Sequence, residues 1–169
     1  MIIPEAIHSF NVYNGTNRII GITGAVELPG FQYITNTISL AGMPGEYDAP
    51  VMGHVASQKM KIPFTMIDKD GYFAMVKSEE DIVLRANIQI KDDKSKPDIV
   101  NMVVTIRGTT TEYNLGTLEK AKLMNSDITK EITYIKIVIG NSVCLEYDKF
   151  NNVYVINDED VFAKVRANL

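Results

Sequence analysis

The chain has no tryptophan and only one cysteine, Cys144, among its 169 residues. One thiol forbids an intrachain disulfide, and nothing points to an oxidising compartment. Carbohydrate-binding β-sandwiches usually present exposed tryptophan or tyrosine platforms, and the first of these is missing. Histidine is almost as scarce. His8 and His54 lie far apart in sequence, and a lone histidine is more often a structural residue than a base. No Cys-x-x-Cys or His-x-x-x-His spacing supports a metal site. The acidic runs Glu79-Glu80-Asp81 and Asp158-Glu159-Asp160 are consecutive, so their carboxylates fan apart and read as solvated turns and helix starts. No nucleophile, base and metal set emerges. The sequence predicts a protein that is not an enzyme and holds no cofactor.

Positive charge is also in short supply. A formal net charge of −4 argues against a surface that binds nucleic acid by neutralising phosphates. Long apolar runs are absent: Ile2 and Ile3 are followed at once by Pro4 and Glu5, which predicts neither a signal peptide nor a membrane span. The expectation is a chain made and folded in a cytoplasm, where the sequon Asn14-Gly15-Thr16 is chance. Gly21 and Gly24 are spaced like a weak phosphate loop, but no helix opening with Lys-Ser or Lys-Thr follows. Asp68 to Gly71 resembles the start of a calcium loop. Placing Asp68 and Asp70 as first and third ligands puts Tyr72 fifth and Phe73 where glycine is required, so calcium is rejected.

What is present is β-patterned. Apolar residues at 46% and charged residues at 22% fit one soluble globular domain over residues 1–169. Phe10 to Tyr13 reads as a short strand, Asn14-Gly15 as a hairpin turn, and Arg18 to Ile22 as the return. Phe31 to Leu40 alternates, and so does Gln58 to Met66, with Met60, Ile62, Phe64 and Met66 on one face and Pro63 implying an edge or a bend. Asp70 is expected to cap a short helix over residues 70–77. Ile82 to Lys91 is the clearest strand, with Ile82, Leu84, Ala86, Ile88 and Ile90 inward. Ile99 to Arg107 follows, broken by Gly108. Lys130 to Ile139 carries apolar residues on both faces, which predicts a strand buried on both sides, either centrally or at an interface. Asn157 is expected to cap a C-terminal helix over residues 158–167. Eight to ten strands and two short helices make a mainly-β sandwich or partial barrel.

The stretch Thr37 to Ser57 organises the rest. Gly42, Gly45 and Gly53 permit positive φ, while Pro44 and Pro50 remove backbone donors, so no ladder is expected through it. Leu40, Met43, Tyr47, Val51 and Met52 are too apolar for a flexible linker. Two packings fit: an arm over residues 37–57 that docks on a neighbouring subunit, or a loop folded back over its own core.

A resemblance covers almost the whole chain. Pro4-Glu5, Phe10-Asn11-Val12-Tyr13, and the spaced set Gly42, Gly45-Glu46, Asp48, Pro50, Gly53-His54 come first. Ala86-Asn87-Ile88-Gln89-Ile90, Arg107-Gly108 and Leu115-Gly116-Thr117-Leu118-Glu119 follow. Thr133-Tyr134-Ile135-Lys136, Leu145-Glu146-Tyr147-Asp148-Lys149 and Val165-Arg166-Ala167 close the series. In that order they resemble the major tail tube proteins of contractile-tailed bacteriophages and of R-type phage-tail-like bacteriocins.

The resemblance implies a structural protein of tail-tube-type β-sandwich fold whose strands join neighbours into a ring-spanning inner β-barrel. Sixfold rings of the chain itself would stack into a tube inside a sheath. The other implied partners are a baseplate or tube initiator, a terminator and a tape measure protein, with DNA passing transiently in a phage. It places the chain in a virion tail or phage-tail-like particle. Gly42, Met43, Pro44, Gly45, Glu46, Tyr47, Asp48, Pro50, Val51 and Met52 become candidates for the contact between rings. Ile132, Tyr134 and Val138 become candidates within a ring. Thr35, Thr37, Lys59, Lys61, Arg85, Asn87 and Gln89 become candidates for the lumen wall, where polar strand faces suit a water-filled channel. The inner tube of a contractile secretion system and a non-enzymatic carbohydrate-binding β-sandwich are the alternatives.

Overall fold

The computed structural model describes residues 1–169. The first hairpin joins β1 (Ile2–Asn14) to β2 (Asn17–Ile19), and Gly15 supplies the positive φ of +61° that its tight turn needs. β3 (Tyr33–Ile38) and β4 (Tyr47–Val55) pair with each other as a separate two-stranded sheet. β5 (Lys59–Phe64) leads through one π-helical turn over Lys69–Phe73 into α1 (Ala74–Lys77). Then come β6 (Ile82–Asp92), β7 (Asp98–Asn114), β8 (Ser126–Ile139), β9 (Ser142–Asp148), β10 (Val153–Ile156), β11 (Glu159–Asp160) and α2 (Ala163–Ala167).

Nine strands make one antiparallel sheet in the order β11-β10-β9-β8-β7-β6-β1-β2, with β5 added on β8. β8 is long enough to take two partners on one side, β5 along Ser126 to Glu131 and β9 along Tyr134 to Ile139. The sheet therefore curls, and β5 comes back beside the end of β2. A single bridge between Ile22 and Phe64 closes the wall, flanked by Thr23 N–H to Pro63 O (3.2 Å) and Thr65 N–H to Gly21 O (2.7 Å). The enclosed core is built from alternate residues: Met60, Ile62 and Phe64 of β5, Ile82 and Leu84 of β6, Val104 and Ile106 of β7, Ile128 of β8. α1 and the turn before it cover one end. Tyr72 is fully buried there, its ring edge-on to Phe64 at 5.2 Å and its hydroxyl donating to the Asn114 carbonyl at 2.7 Å. Burial of its ring and the nearby Asp127 push the Tyr72 pKa up.

Several local expectations change. The first strand starts at Ile2, not Phe10, because Ile2 to Ser9 extend the ladder with β6 beyond the core. The short helix is capped by Asp68, whose carboxylate accepts from Gly71 and Tyr72 N–H; Asp70 sits in the first turn instead. Gly108 does not end a strand. β7 runs straight through it, and the register with β8 shifts between Arg107 and Gly108, where any Cβ would collide with the Glu131 carbonyl of β8. That same irregularity leaves Thr133 as an extra residue in β8. Ile132 and Ile135, three apart, therefore both point into the core. Within the chain itself β8 is fully buried on one side only, and Tyr134, Lys136 and Val138 form a half-buried outer face. The C-terminal helix begins at Ala163. Asn157 and Asp158 take left-handed φ values of 46° and 66° in a turn, and Glu159–Asp160 pair as β11.

Candidate assembly interface

The stretch expected to be an irregular loop is largely a β-hairpin arm. Tyr47 to Val55 is strand, paired with β3 from Ile38↔Tyr47 to Thr35↔Pro50 and again at Tyr33↔Val55. Pro50 is tolerated because a two-stranded ribbon offers it an edge. Three extra β4 residues between the last two pairs bow the strand, and Gly53 adopts φ +73° there. The root of the arm is aromatic. Phe31 meets Tyr147 edge-on at 5.6 Å, Tyr147 meets Tyr154 at 5.1 Å, and Phe162 packs against both Tyr154 and the Cα of Gly53. Ala56 N–H to Gln32 O (2.8 Å) and Gln58 Nε2 to Gly30 O (2.9 Å) tie the arm's two ends to the body.

Beyond the root the arm stands free. Leu40 is 63% exposed, Tyr47 53% and Met52 57%, in a ribbon with no further sheet to cover it. Ser39 to Glu46 form the connection between strands, with Gly42 at φ +92°. Tyr47, Asp48, Pro50 and Met52 lie exposed on β4, and Val51 is half-buried. Thr37 donates to Asp48 at 2.6 Å across the hairpin.

A second unpartnered surface lies at the other edge of the large sheet, and sequence reasoning missed it. β2 pairs with β1 only through Val12, Tyr13 and Asn14, so Ile2 to Asn11 pair with β6 on one side and have no strand on the other. Against this edge opens an apolar groove of about 590 Å³. Its floor is Leu84, Ala86, Met102 and Val104, and its rims are Ile7 to Phe10 and Gly24 to Leu28. Ile7, 53% exposed, was the available signal, since it is the strand neighbour of Ile88.

The remaining candidates fall on different surfaces. Arg85, Asn87 and Gln89 form one row on the outer face of β6. Arg85 stacks 5.2 Å over the Tyr13 ring, Asn87 donates to Ser9 Oγ at 3.2 Å, and Gln89 donates to Glu5 at 2.7 Å. Lys59 and Lys61 project from β5, three strands further round, with Lys61 3.7 Å from Asp127. Thr35 and Thr37 belong to the arm, not to that wall. Tyr134 and Val138 sit on the outer face of β8, but Ile132 is 1% exposed in the core and has no surface left for a neighbour. Its expected role within a ring is therefore corrected: the bulge at Thr133 turns it inward. Tyr134 donates to Glu146 at 3.2 Å and carries Arg107 5.1 Å over its ring. Burial, then the Glu146 charge, push its pKa up to about 12.

His8 lies on the free edge of β1, with its Nδ1 3.3 Å from the Oγ of the adjacent Ser9, and His54 lies exposed on the arm. Cys144 is half-buried in β9. No three His, Cys, Asp or Glu side chains converge as a metal set, and no helix is long and apolar enough to cross a membrane.

A family model described as phage tail tube protein FII matches residues 4–169. No curated protein matches the chain. Among solved structures, the chain is similar to one in the cryo-EM structure of an extracellular contractile injection system, PVC sheath/tube terminator in extended state. The TM-score is 0.56 at 14% identity, over 80% of this chain and 97% of that one. It is equally similar to a chain of the PVC sheath-tube complex in extended state, with TM-score 0.56 and 14% identity over 80% and 91% of the two chains. A chain of the anti-feeding prophage baseplate, 6-fold symmetrised, gives TM-score 0.53 at 10% identity over 82% and 97%. At these identities the likeness is one of fold.

Proposed function

The chain belongs to the phage tail tube protein FII family, and on that premise we propose that it is the repeating subunit of the inner tube of a contractile phage tail or phage-tail-like particle. Six copies close into a ring, and rings stack into a tube. The tube is a conduit for DNA in a phage, or the piercing element of a bacteriocin-like particle. Sheath, baseplate or initiator, terminator and tape measure proteins are its partners in the tail, and it is made in the bacterial cytoplasm before assembly. Its role is structural rather than catalytic.

The family match from residue 4 to residue 169 carries this reading, because it spans the arm, the free β1 edge and the curled sheet together. The physics of the two unpartnered surfaces supports it. An open sheet edge of ten residues and an apolar arm are liabilities in a monomer. They are unlike surfaces, so contacts between copies are heterologous, and such contacts close into rings or run on as open stacks. Within this reading Gly42 to Met52 make the contact between rings, Tyr134 and Val138 lie at or near the contact within a ring, and the outer β6 row faces the lumen. At a formal −4 per chain the tube as a whole would repel a passing duplex rather than hold it, with Arg85 a local exception on the wall.

Negative-stain electron microscopy of the purified chain, with and without baseplate, tests the reading. Annular particles with sixfold end views, and tubes on baseplates, are expected. Only discrete non-annular particles under every assembly condition would overturn it.

A further inference from the structure

Two dipeptides carry a reactivity that assembly does not use. Asn14-Gly15 and Asp70-Gly71 are the chain's only Asn-Gly and Asp-Gly pairs. In an unfolded chain such a pair cyclises. The glycine nitrogen attacks the side-chain Cγ and a succinimide ring closes. Ammonia leaves from asparagine, or water from protonated aspartic acid, and takes the nitrogen's proton with it. Water then opens the ring at either of its C–N bonds, giving aspartate or isoaspartate. Glycine favours the attack because no Cβ shields its nitrogen.

The fold ties down both nitrogens. Gly15 N–H donates to the Asp81 carbonyl at 2.8 Å, and Gly71 N–H donates to Asp68 Oδ2 at 2.8 Å. An attacking nitrogen has to shed its proton, and a hydrogen bond to an acceptor opposes that loss. An acid also lies on each glycine: the Glu80 carboxylate rests against Gly15, and the Asp68 carboxylate against Gly71. Negative charge developing on either nitrogen therefore meets a carboxylate at close range. The backbone adds a further restraint. Asn14 is paired on both sides, with Asn17 of β2 and Ile82 of β6, which holds it extended. Ring closure requires its ψ to leave that conformation and both pairings to break. Asp70 is held in the π-helical turn that Asp68 caps.

The product at Asn14 does not fit the hairpin. Asn14 is 6% exposed, and its Oδ1 is buried with no hydrogen-bond partner. A carboxylate in its place would bring charge to a position with no waiting donor, close to Glu80, while Arg107 is already engaged by Asp81. Isoaspartate would also lengthen the main chain next to a tight turn whose length sets the register. The hairpin leads directly into the Ile22–Phe64 bridge that closes the wall, so a disturbance here reaches the closure.

We infer that Asn14 is a deamidation site and Asp70 an isomerisation site, both masked by the fold and opened only when the β1–β2 hairpin or the turn before α1 comes apart. The modification marks chains that have spent time unfolded, and a chain modified at Asn14 returns to a weakened hairpin. This concerns the folded subunit alone and does not depend on the tube reading.

Parallel incubations of the full chain test it, one folded in buffer and one unfolded in guanidinium chloride, at the same mildly alkaline pH and temperature. Peptide mass spectrometry follows the unit mass gain at Asn14, and enzymatic isoaspartyl methylation follows Asp70. Conversion at both positions is expected to be about tenfold or more slower in the folded chain, because reaction waits for local opening. Asn14→Asp is expected to lower the unfolding midpoint. The chain aged in guanidinium and returned to buffer should show the same fall, or a smaller refolded fraction than an unaged control. Equal conversion rates in the folded and unfolded chain overturn the masking. An unchanged midpoint in Asn14→Asp together with full recovery of the aged chain overturns the misfit. Neither result bears on ring or tube formation.

Discussion

The Tyr33 hydroxyl, at the base of the arm, lies 2.6 Å from the Tyr154 hydroxyl in β10, across 121 residues of sequence. Tyr154 is buried and its ring is edge-on to Tyr147, so this bond is a short polar tie inside a largely apolar root, beside the longer one from the Tyr147 hydroxyl to the Gly53 carbonyl at 3.5 Å. Desolvation by that packing, and then the bond to Tyr33, raise the Tyr154 pKa above its ordinary value.

Tyr154→Phe removes the bond and keeps the ring. Tyr33 can turn its hydroxyl to water, so the cost is expected to be about 0.5–1.5 kcal/mol, the ordinary net value of one hydrogen bond. Tyr154→Ala removes the packing too and should cost about 3–5 kcal/mol. Urea unfolding followed by circular dichroism measures both. Amide hydrogen exchange in β3 and β4 should accelerate in Tyr154→Phe more than exchange in β6 and β7, because the Tyr33 bond is the shorter of the two hydroxyl ties between the arm and the aromatic root.

Gly53 is held by two constraints at once. Its φ of +73° strains any residue with a Cβ, and the Phe162 ring occupies the space that Cβ would take. Gly53→Ala is expected to destabilise by about 2–5 kcal/mol, combining a left-handed backbone cost of about 1–2 with an overpacking cost of about 1–3. Phe162→Ala relieves only the second part. The double variant should therefore be less destabilised than the two single changes added together, by about 1 kcal/mol or more. Strict additivity in the unfolding free energies would show that the ring and the glycine are independent.

How much of this was legible beforehand follows the length scale of each signal. Strict alternation located β5 and β6, because one face of each is core and the other is water. The family resemblance rested on short ordered motifs, and it identified the tube family that the match over residues 4–169 establishes. The arm was located but its structure was not read. Pro44, Pro50 and three glycines argued against a ladder, yet a free two-stranded ribbon has outer edges where proline costs nothing. Ile132 was misassigned because a period-2 pattern cannot reveal the extra residue at Thr133, which depends on what Gly108 allows in the next strand. The groove was invisible for a related reason. It is made by the absence of a neighbour beside Ile2 to Asn11, and strand order is not written in any one strand.

Alkaline pH separates two groups of opposite sign, the half-buried Tyr134 and the buried Lys130. Tyr134 is pushed up to about 12 from an ordinary 10.0, so the folded state holds its proton more tightly than the unfolded chain. Its contribution to stability is complete below about pH 10 and is lost as pH rises towards 12. Lys130 is 1% exposed, with its ammonium donating to the Ser78 carbonyl at 2.9 Å. Burial depresses its pKa below 10.5 despite the nearby Glu79. Here the unfolded chain holds the proton more tightly, so stability rises with pH until the ordinary lysine value is reached. Tyr134→Phe should flatten the fall above pH 10, and Lys130→Met should flatten the rise below it. Urea midpoints between pH 7 and 12 check both, and unchanged slopes in either variant would refute its assignment.

On the proposed function, the arm is expected to decide whether subunits grow into a tube. Burying side chains such as Met43, Tyr47 and Met52 contributes about 1.5–3 kcal/mol each. Ordering a mobile loop costs about 1–2 kcal/mol per backbone residue, which would consume that gain if the whole stretch were free. The hairpin changes the balance. Pairing from Thr35↔Pro50 to Ile38↔Tyr47 and the aromatic root already fix most of it, leaving mainly the connection from Ser39 to Glu46 to be ordered on docking. A modest gain per subunit, repeated around a ring, then becomes decisive for growth. Tyr47→Ala is expected to leave the circular dichroism spectrum and unfolding midpoint close to those of the parent, because Tyr47 touches no core residue and is 53% exposed. Gly45→Pro should behave likewise, since Gly45 lies in the connection with open space around it. Both should stop tube elongation on preformed baseplates, measured by sedimentation and by tube length in micrographs. Deletion of Pro44 to Pro50 removes the exposed tip and the first turns of β4 pairing. Tubes of normal length from that deletion would show that the arm does not join one ring to the next.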